Sequence, residues 1–184
     1  MSERILLDAC VLYPTLLRKV LIGSAERGLF VPLWSPRILD EWRHAAARSG
    51  QTEAALIDAE IARLSVAFPD STALLANGSE EGLSLPDADD VHVLAAALSA
   101  RADSLLTLNL KDFPTRTLTR YGLFRREPDG FLLELLAEHP DTMRSLVAGA
   151  AEEAARRIGG ETTPRSVLKR ARLSRMGKAL YAEE

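Results

Sequence analysis

The run LPDADDVHVLAAALSARADSLLTLNLKDF, Leu85 to Phe113, constrains the fold more than any other stretch of the chain. Three carboxylates, Asp87, Asp89 and Asp90, directly precede Val91, Val93, Leu94, Ala95, Ala96, Ala97 and Leu98, a helix apolar nearly all round. Such a helix belongs inside a core. Asp87 or Asp89 suits the N-cap, where a carboxylate satisfies free backbone N–H groups and favours the helix dipole. Asp90 instead shares a face with Val93, Leu94 and Ala97, the side that packs, where an unpaired carboxylate is costly. That acid needs a cation. The next segment, SLLT from Ser104 to Thr107, reads as a short buried strand, followed by Asn109 and Asp112 in the loop at its carboxyl end. In open parallel α/β sheets, ligands bind at that end.

Other acids recur at equivalent places. Arg4 to Leu7 (RILL) is a short apolar run suited to a fully buried first strand, and Asp8 stands at its tip, as a turn or cap residue or as part of a site. Tyr13, Leu16, Leu17, Val20, Leu21 and Ser24 then fall at helical spacing, ending near Arg27-Gly28. FVPLW, Phe30 to Trp34, reads as a second strand, with Pro32 arguing for a sheet edge or a bulge. Ser35-Pro36 is an N-cap followed by proline at the first helical position. On that helix Ile38, Glu41, Trp42 and Ala45 share a stripe, so Glu41 either leaves its head in water at the rim or projects into a polar pocket. A helix from Gln51 to Phe68 with Leu56, Ile57, Ile61 and Leu64 on one side, a weak strand from Ser71 to Leu75, and a loop from Asn77 to Gly82 lead back to Leu85. Alternating strands and helices indicate an α/β fold, a central parallel sheet with helices on both faces.

At 184 residues the chain has room for one domain and a small appendage. We place the boundary at 138/139, with residues 139–184 a helical C-terminal extension that runs to about Ile158, breaks at Gly159-Gly160 and restarts at Thr163-Pro164. Its charged residues between Thr163 and Lys178 are all basic, Arg165, Lys169, Arg170, Arg172, Arg175 and Lys178, a face for nucleic acid, for a subunit contact or for solvent. A net charge of −3 denies the whole chain the basic excess of a general nucleic-acid binder. Cys10 is the single cysteine, which excludes an internal disulfide and fits a reducing compartment; with no signal-peptide pattern and no apolar run long enough for a membrane span, the expected location is cytoplasmic. His44, His92 and His139 lack partners at metal-ligand spacing and read as structural or exposed.

Asp8, Glu41, Asp90 and Asp112 thus come from four separate segments. Were they to share a pocket, like charges about 4 Å apart would repel by roughly 4 kcal/mol per pair at an effective dielectric near 20, so the cluster must bind protons or a cation. Oxygen ligands without cysteine or histidine select Mg²⁺ or Mn²⁺ over zinc. Such an ion keeps several waters and can lower the pKa of one for attack on a phosphate ester.

The pieces ILLDACVLYP, SPRILDEW and LPDADDVHVLAAALSARADSLLTLNLKDFP resemble the successive motifs of the PIN domain, the metal-dependent ribonuclease fold shared by VapC-type toxins of bacterial toxin–antitoxin pairs. The resemblance runs from about Arg4 to Ala137 and implies a three-layer α/β/α fold. It makes Asp8, Glu41, Asp90 and Asp112 the catalytic and metal-binding acids, with Asp87, Thr107 and Asn109 in support. Asn109 stands at one of two places the family pattern allows for the fourth acid, which shifts that role to Asp112, and Cys10 stands where many relatives have asparagine. The implied activity is hydrolysis of RNA by a metal-activated water. The implied partners are an RNA substrate, a cognate antitoxin and a second copy of the chain. Arg37, Arg43, Lys111, Arg116 and Arg120 lie near the expected mouth and could hold phosphates.

Two rival readings remain at this level. A magnesium-dependent phosphatase with Asp8 as nucleophile usually needs a second acid two residues on, where Cys10 stands. A PIN-like module that binds RNA or protein without cutting is the other.

Overall fold

The structure is a computed structural model and describes residues 2–48 and 50–182. In chain order the elements are β1 (Arg4–Leu7), α1 (Ala9–Leu12), α2 (Thr15–Glu26), β2 (Val31–Leu33), α3 (Pro36–Ala47), α4 (Gln51–Ala67), a 3-10 turn (Ala88–Asp90) running into α5 (Val91–Ser99), β3 (Ser104–Leu106), α6 (Thr115–Thr119), β4 (Phe124–Arg126), α7 (Pro128–Glu138), α8 (Pro140–Ile158), α9 (Pro164–Arg170) and α10 (Ser174–Leu180). The chain groups into two compact units. One joins the residues up to Tyr13 with Phe30–Arg126; the other joins Pro14–Leu29 with the chain from Glu127 onward.

The first unit holds a parallel four-stranded sheet in the order β2-β1-β3-β4, flanked by helices. Its two inner strands, RILL and SLL, are continuous apolar runs because a central parallel strand is covered on both faces; Ile5, Leu6, Leu7, Leu105 and Leu106 are fully buried. Pro32, which cannot donate to a ladder, lies on the edge strand β2 opposite Ile5. From β1 the chain moves outward to β2, then crosses back past β1 to lay down β3 and β4. The order therefore reverses between β1 and β3, and a crevice opens at the carboxyl ends of those two strands. Asp8 follows β1 and donates its backbone N–H to the carbonyl of Leu106 at the end of β3, so the two strand tips are stitched together at that point.

Local chemistry accounts for most boundaries. Ser35 caps α3 by accepting from the Ile38 N–H at 3.2 Å, and Pro36 opens the helix. Asp87 takes the cap of the 3-10 turn, its Oδ1 accepting from the Asp89 N–H at 2.9 Å. Helix α5 buries every residue from Val91 to Ala97, as an all-apolar helix must. It ends with Arg101 in the left-handed region (φ 50°), where Ala102 N–H reaches the carbonyl of Ala97 and Arg101 N–H that of Leu98.

Three local expectations change. The helix read from Tyr13 begins after Pro14, at Thr15 (α2), a separate short helix, α1, precedes it, and Tyr13 is exposed rather than part of the buried stripe. The strand expected over Ser71–Leu75 shrinks to one parallel bridge, Trp34 to Thr72. On α4, Ile57, Ile61 and Leu64 are buried but Leu56 points to solvent, because one helical stripe is too narrow to include both Leu56 and Ile57 fully.

In the second unit α2 packs on α8. Gly23 gives the Leu146 side chain its room, since a Cβ there would lie 2.7 Å from Leu146 Cδ1 and the leucine would have to shift. Ser24 Oγ donates back to the Val20 carbonyl, and Lys19 pairs with Glu153. Helices α9 and α10 form a tight hairpin around Leu168, Leu173 and Met176, with Arg172 left-handed (φ 61°) at the turn. No described helix is long and apolar enough to cross a membrane.

Candidate active site

At the crevice between β1 and β3, Asp8 is 7% exposed. The Thr107 hydroxyl donates to its Oδ2 at 2.6 Å and the Cys10 thiol to the same oxygen at 3.0 Å. Thr107 Oγ1 also accepts from the Asn109 N–H at 2.9 Å, and Cys10 Sγ accepts from the Leu108 N–H at 3.2 Å. One oxygen of Asp8 is thereby locked to both strand ends, and Oδ1 has no protein donor among the described residues. Cys10 thus supplies the supporting hydrogen bond at its position. Burial, then the Asp8 charge and the hydrogen bond to it, push the thiol pKa up to about 12, so it stays protonated as a donor.

Across the crevice the carboxylates of Asp87, Asp90 and Asp112 each place an oxygen within 4.8 Å of the other two. Asp90 opens α5, and Asp112 belongs to the loop after β3. Asn109 links them: its Nδ2 donates to Asp90 Oδ2 at 3.2 Å and its Oδ1 accepts from the Asp112 N–H at 3.4 Å. Arg125 braces the same loop by donating to the carbonyls of Leu110 and Phe113, both at 3.0 Å. Burial raises the Asp90 pKa to about 6, with further contributions from the charges of Asp8, Asp87, Asp112 and Asp89. Among the described residues no lysine or arginine pairs with Asp8, Asp87, Asp90 or Asp112. The trio within reach of a common point therefore includes Asp87, expected only in support, while Asp8 and Glu41 act on it through their fields.

Glu41 projects from α3 toward this acidic group. Burial raises its pKa, Arg37 opposes that, and Asp8 and Asp90 add to it. Its Oε1 lies 2.8 Å from His92 Nε2 and 3.6 Å from Arg37 Nε. His92 was expected to be structural or exposed; it is 2% exposed and holds Glu41. Burial, assisted by Arg37, lowers its pKa to about 4, so at neutral pH the pair is a hydrogen bond from a neutral imidazole rather than an ion pair. Nε2 then carries the proton, and the buried Nδ1 has no partner among the described residues. The sequence did carry a signal: a histidine within VHVLAAAL has no polar face to turn to and must find a buried partner. His44 and His139 are exposed, as expected.

The cations divide. Arg37 stands at Glu41 and donates to the Asp89 carbonyl at 3.4 Å. Arg43 is bridged between Asp40 on α3 and Asp58 on α4, which compensates its charge. Lys111 is exposed beside Asp112, and Arg116 and Arg120 line an open cleft of about 570 Å³ with Thr115 and Thr119 on α6.

The donor set fits a hard divalent cation. It offers several carboxylate oxygens close together, with neither sulfur nor imidazole among the three and, among the described residues, no cation paired with them.

The chain is 37% identical over 79 residues to a Mycobacterium tuberculosis protein named "Putative ribonuclease VapC50", a match covering 43% of this chain and 45% of that protein. This chain's match thus spans less than half the length of that relative. No solved structure matches the chain significantly. The family model described as PIN domain matches residues 4–111, the segment that carries β1, β3, Asp8, Glu41, Asp87 and Asp90 and ends one residue before Asp112. The chain belongs to the PIN domain family.

Proposed function

We propose that this chain is a divalent-metal-dependent endoribonuclease of the VapC kind, hydrolysing RNA phosphodiester bonds under the control of a cognate antitoxin. The observation that carries the reading is the group of uncompensated carboxylates, Asp87, Asp90 and Asp112 within 4.8 Å and Asp8 buried beside them, at the sheet's switch point. The named relative supports the ribonuclease class.

Asp8, Asp90 and Asp112 would hold the ion, with Asp87 close enough to share that role. Mg²⁺ or Mn²⁺ bound there supplies Lewis acidity toward a phosphodiester oxygen and acidifies a water for in-line attack. The chain's own residues prepare the site. Thr107 and Cys10 fix Asp8 through Oδ2 and leave Oδ1 available. Asn109 holds Asp90 and the Asp112 loop in one frame. His92 fixes Glu41, whose raised pKa suits it to take a proton at Oε1 or Oε2. Lys111, Arg116 and Arg37 would hold the phosphates of the substrate; Arg43, already compensated, contributes least.

The test is cleavage of RNA by the wild type, Asp8→Asn and Asp90→Asn, with Mg²⁺, Mn²⁺ or EDTA. Metal-dependent cleavage lost in both variants, with unchanged circular dichroism, supports the reading. Equal cleavage by all three proteins rejects it. The antitoxin, the homodimer, the cytoplasmic location and a division into a nuclease domain to residue 138 and an extension from residue 139 belong to the same proposal.

A further inference from the structure

Helices α9 and α10 enclose a second feature that the carboxylate site does not use. A cavity of about 580 Å³ is lined by Thr163, Arg165, Ser166, Lys169, Ser174 and Lys178. Among the described residues three cations and three hydroxyl side chains line it and no carboxylate does; Ser166 Oγ donates to the Thr163 carbonyl, which leaves the Thr163 and Ser174 hydroxyls as donors to a ligand. Arg165 and Lys169 are four residues apart on α9, and Ser174 and Lys178 four apart on α10, so each helix turns one such pair to the same space.

This arrangement is unfavourable for folding alone. Like charges at i, i+4 destabilise a helix, and a third cation faces them. The cheap remedy, a nearby acid, is used next door. Asp129 on α7 accepts the N–H groups of Arg175 and Met176 at 2.8 and 3.0 Å and lies 3.6 Å from the Arg175 guanidinium. Arg165, Lys169 and Lys178 have no ion-pair partner among the described residues. The whole run from Thr163 to Lys178 contains no acid, in a chain whose net charge is −3.

Cations beside hydroxyl donors match phosphate oxygens, which accept from both. We propose that the α9–α10 cleft binds the phosphodiester backbone of RNA, a second grip on the nucleic acid apart from the carboxylate site. It rests on the ribonuclease reading for the identity of the anion. A cleft of this kind is indifferent to base sequence.

The probe is a single-stranded RNA of 20 nucleotides, its affinity for the full chain measured in EDTA from 50 to 200 mM KCl. The variants are K169Q/K178Q, both positions exposed, and R156Q/R157Q, an equal loss of charge at residues already paired with Glu152 and Glu153. Each lost phosphate contact should cost about 5-fold in affinity at 0.1 M salt and lower the slope of log K against log salt by about 0.7. K169Q/K178Q should therefore bind about 25-fold more weakly with a slope smaller by about 1.4, and cleave a tetranucleotide at the wild-type rate. R156Q/R157Q should bind nearly as wild type. Equal loss in both variants, or no loss in the first, overturns the proposal. So does a first variant that keeps its RNA affinity but loses affinity for poly-L-glutamate, which would make the occupant an acidic protein segment. The two readings fail separately: a wild type that cuts no RNA while K169Q/K178Q still loses affinity sinks the nuclease and supports the cleft.

Discussion

Replacing Asp90 by asparagine should stabilise the metal-free protein. Asp90 is half-buried among Asp8, Asp87, Asp89 and Asp112, and its pKa is raised to about 6. The folded chain therefore holds this proton more tightly than the unfolded chain. The group's favourable contribution is complete below about pH 4 and lost as pH rises through about 6, the reverse of a salt-bridged aspartate. Fully expressed, the gap from an ordinary aspartate is worth about 3 kcal/mol, and solvent screening of a half-exposed carboxylate leaves about 1 kcal/mol. Asparagine removes the charge and can still accept from Asn109 Nδ2. At pH 7.5 in EDTA the variant should melt about 2–4 °C higher, and at pH 3.5 the difference should vanish. Adding Mn²⁺ to ten times its dissociation constant should raise the wild type by about 1.4 kcal/mol and the variant by little, reversing their order. Differential scanning calorimetry at both pH values, with and without Mn²⁺, reads all of this. A variant less stable than wild type in EDTA at pH 7.5 would refute the claim that these charges are uncompensated.

Other outcomes follow from single residues. The Cys10 thiol, with its pKa near 12, should react with iodoacetamide at pH 8 orders of magnitude more slowly than free cysteine, as intact-mass spectrometry over hours will show. His92→Phe fills the buried space but removes the donor to Glu41. It should lower kcat more than it changes RNA affinity, with partial recovery in His92→Gln, whose amide can still donate. Arg101→Gly relieves a left-handed residue (φ 50°) at the end of α5 and should stabilise the fold by about 0.5–1 kcal/mol in urea unfolding.

The framework was legible because it rests on strong local rules. RILL and SLL could only be buried strands, Ser35-Pro36 could hardly be anything but a helix start, and VHVLAAAL had to be a core helix with its acids at one end. The placement of acids after strands then located the crevice. What the string of residues hid was pairing across distance. Nothing local says that His92 meets Glu41, that the Cys10 thiol reaches Asp8, or that Asp87 comes within 4.8 Å of both Asp90 and Asp112; these depend on the angle at which α3 and the loop after β3 meet β1. Arg43 was misleading for the same reason, since Asp58, fifteen residues away, claims it. Pro14 was visible, but the periodicity of the residues around it concealed the break it makes.

The account turns on whether side chains from separate segments together hold one hard divalent cation. Mn²⁺ binding followed by electron paramagnetic resonance at pH 7.5 tests this without reference to any RNA. The wild type should take up Mn²⁺ saturably, displaceable by Mg²⁺, and Asp8→Asn, Asp90→Asn and Asp112→Asn should each weaken it severalfold or more while remaining folded. Uptake unaffected by all three substitutions would contradict the account.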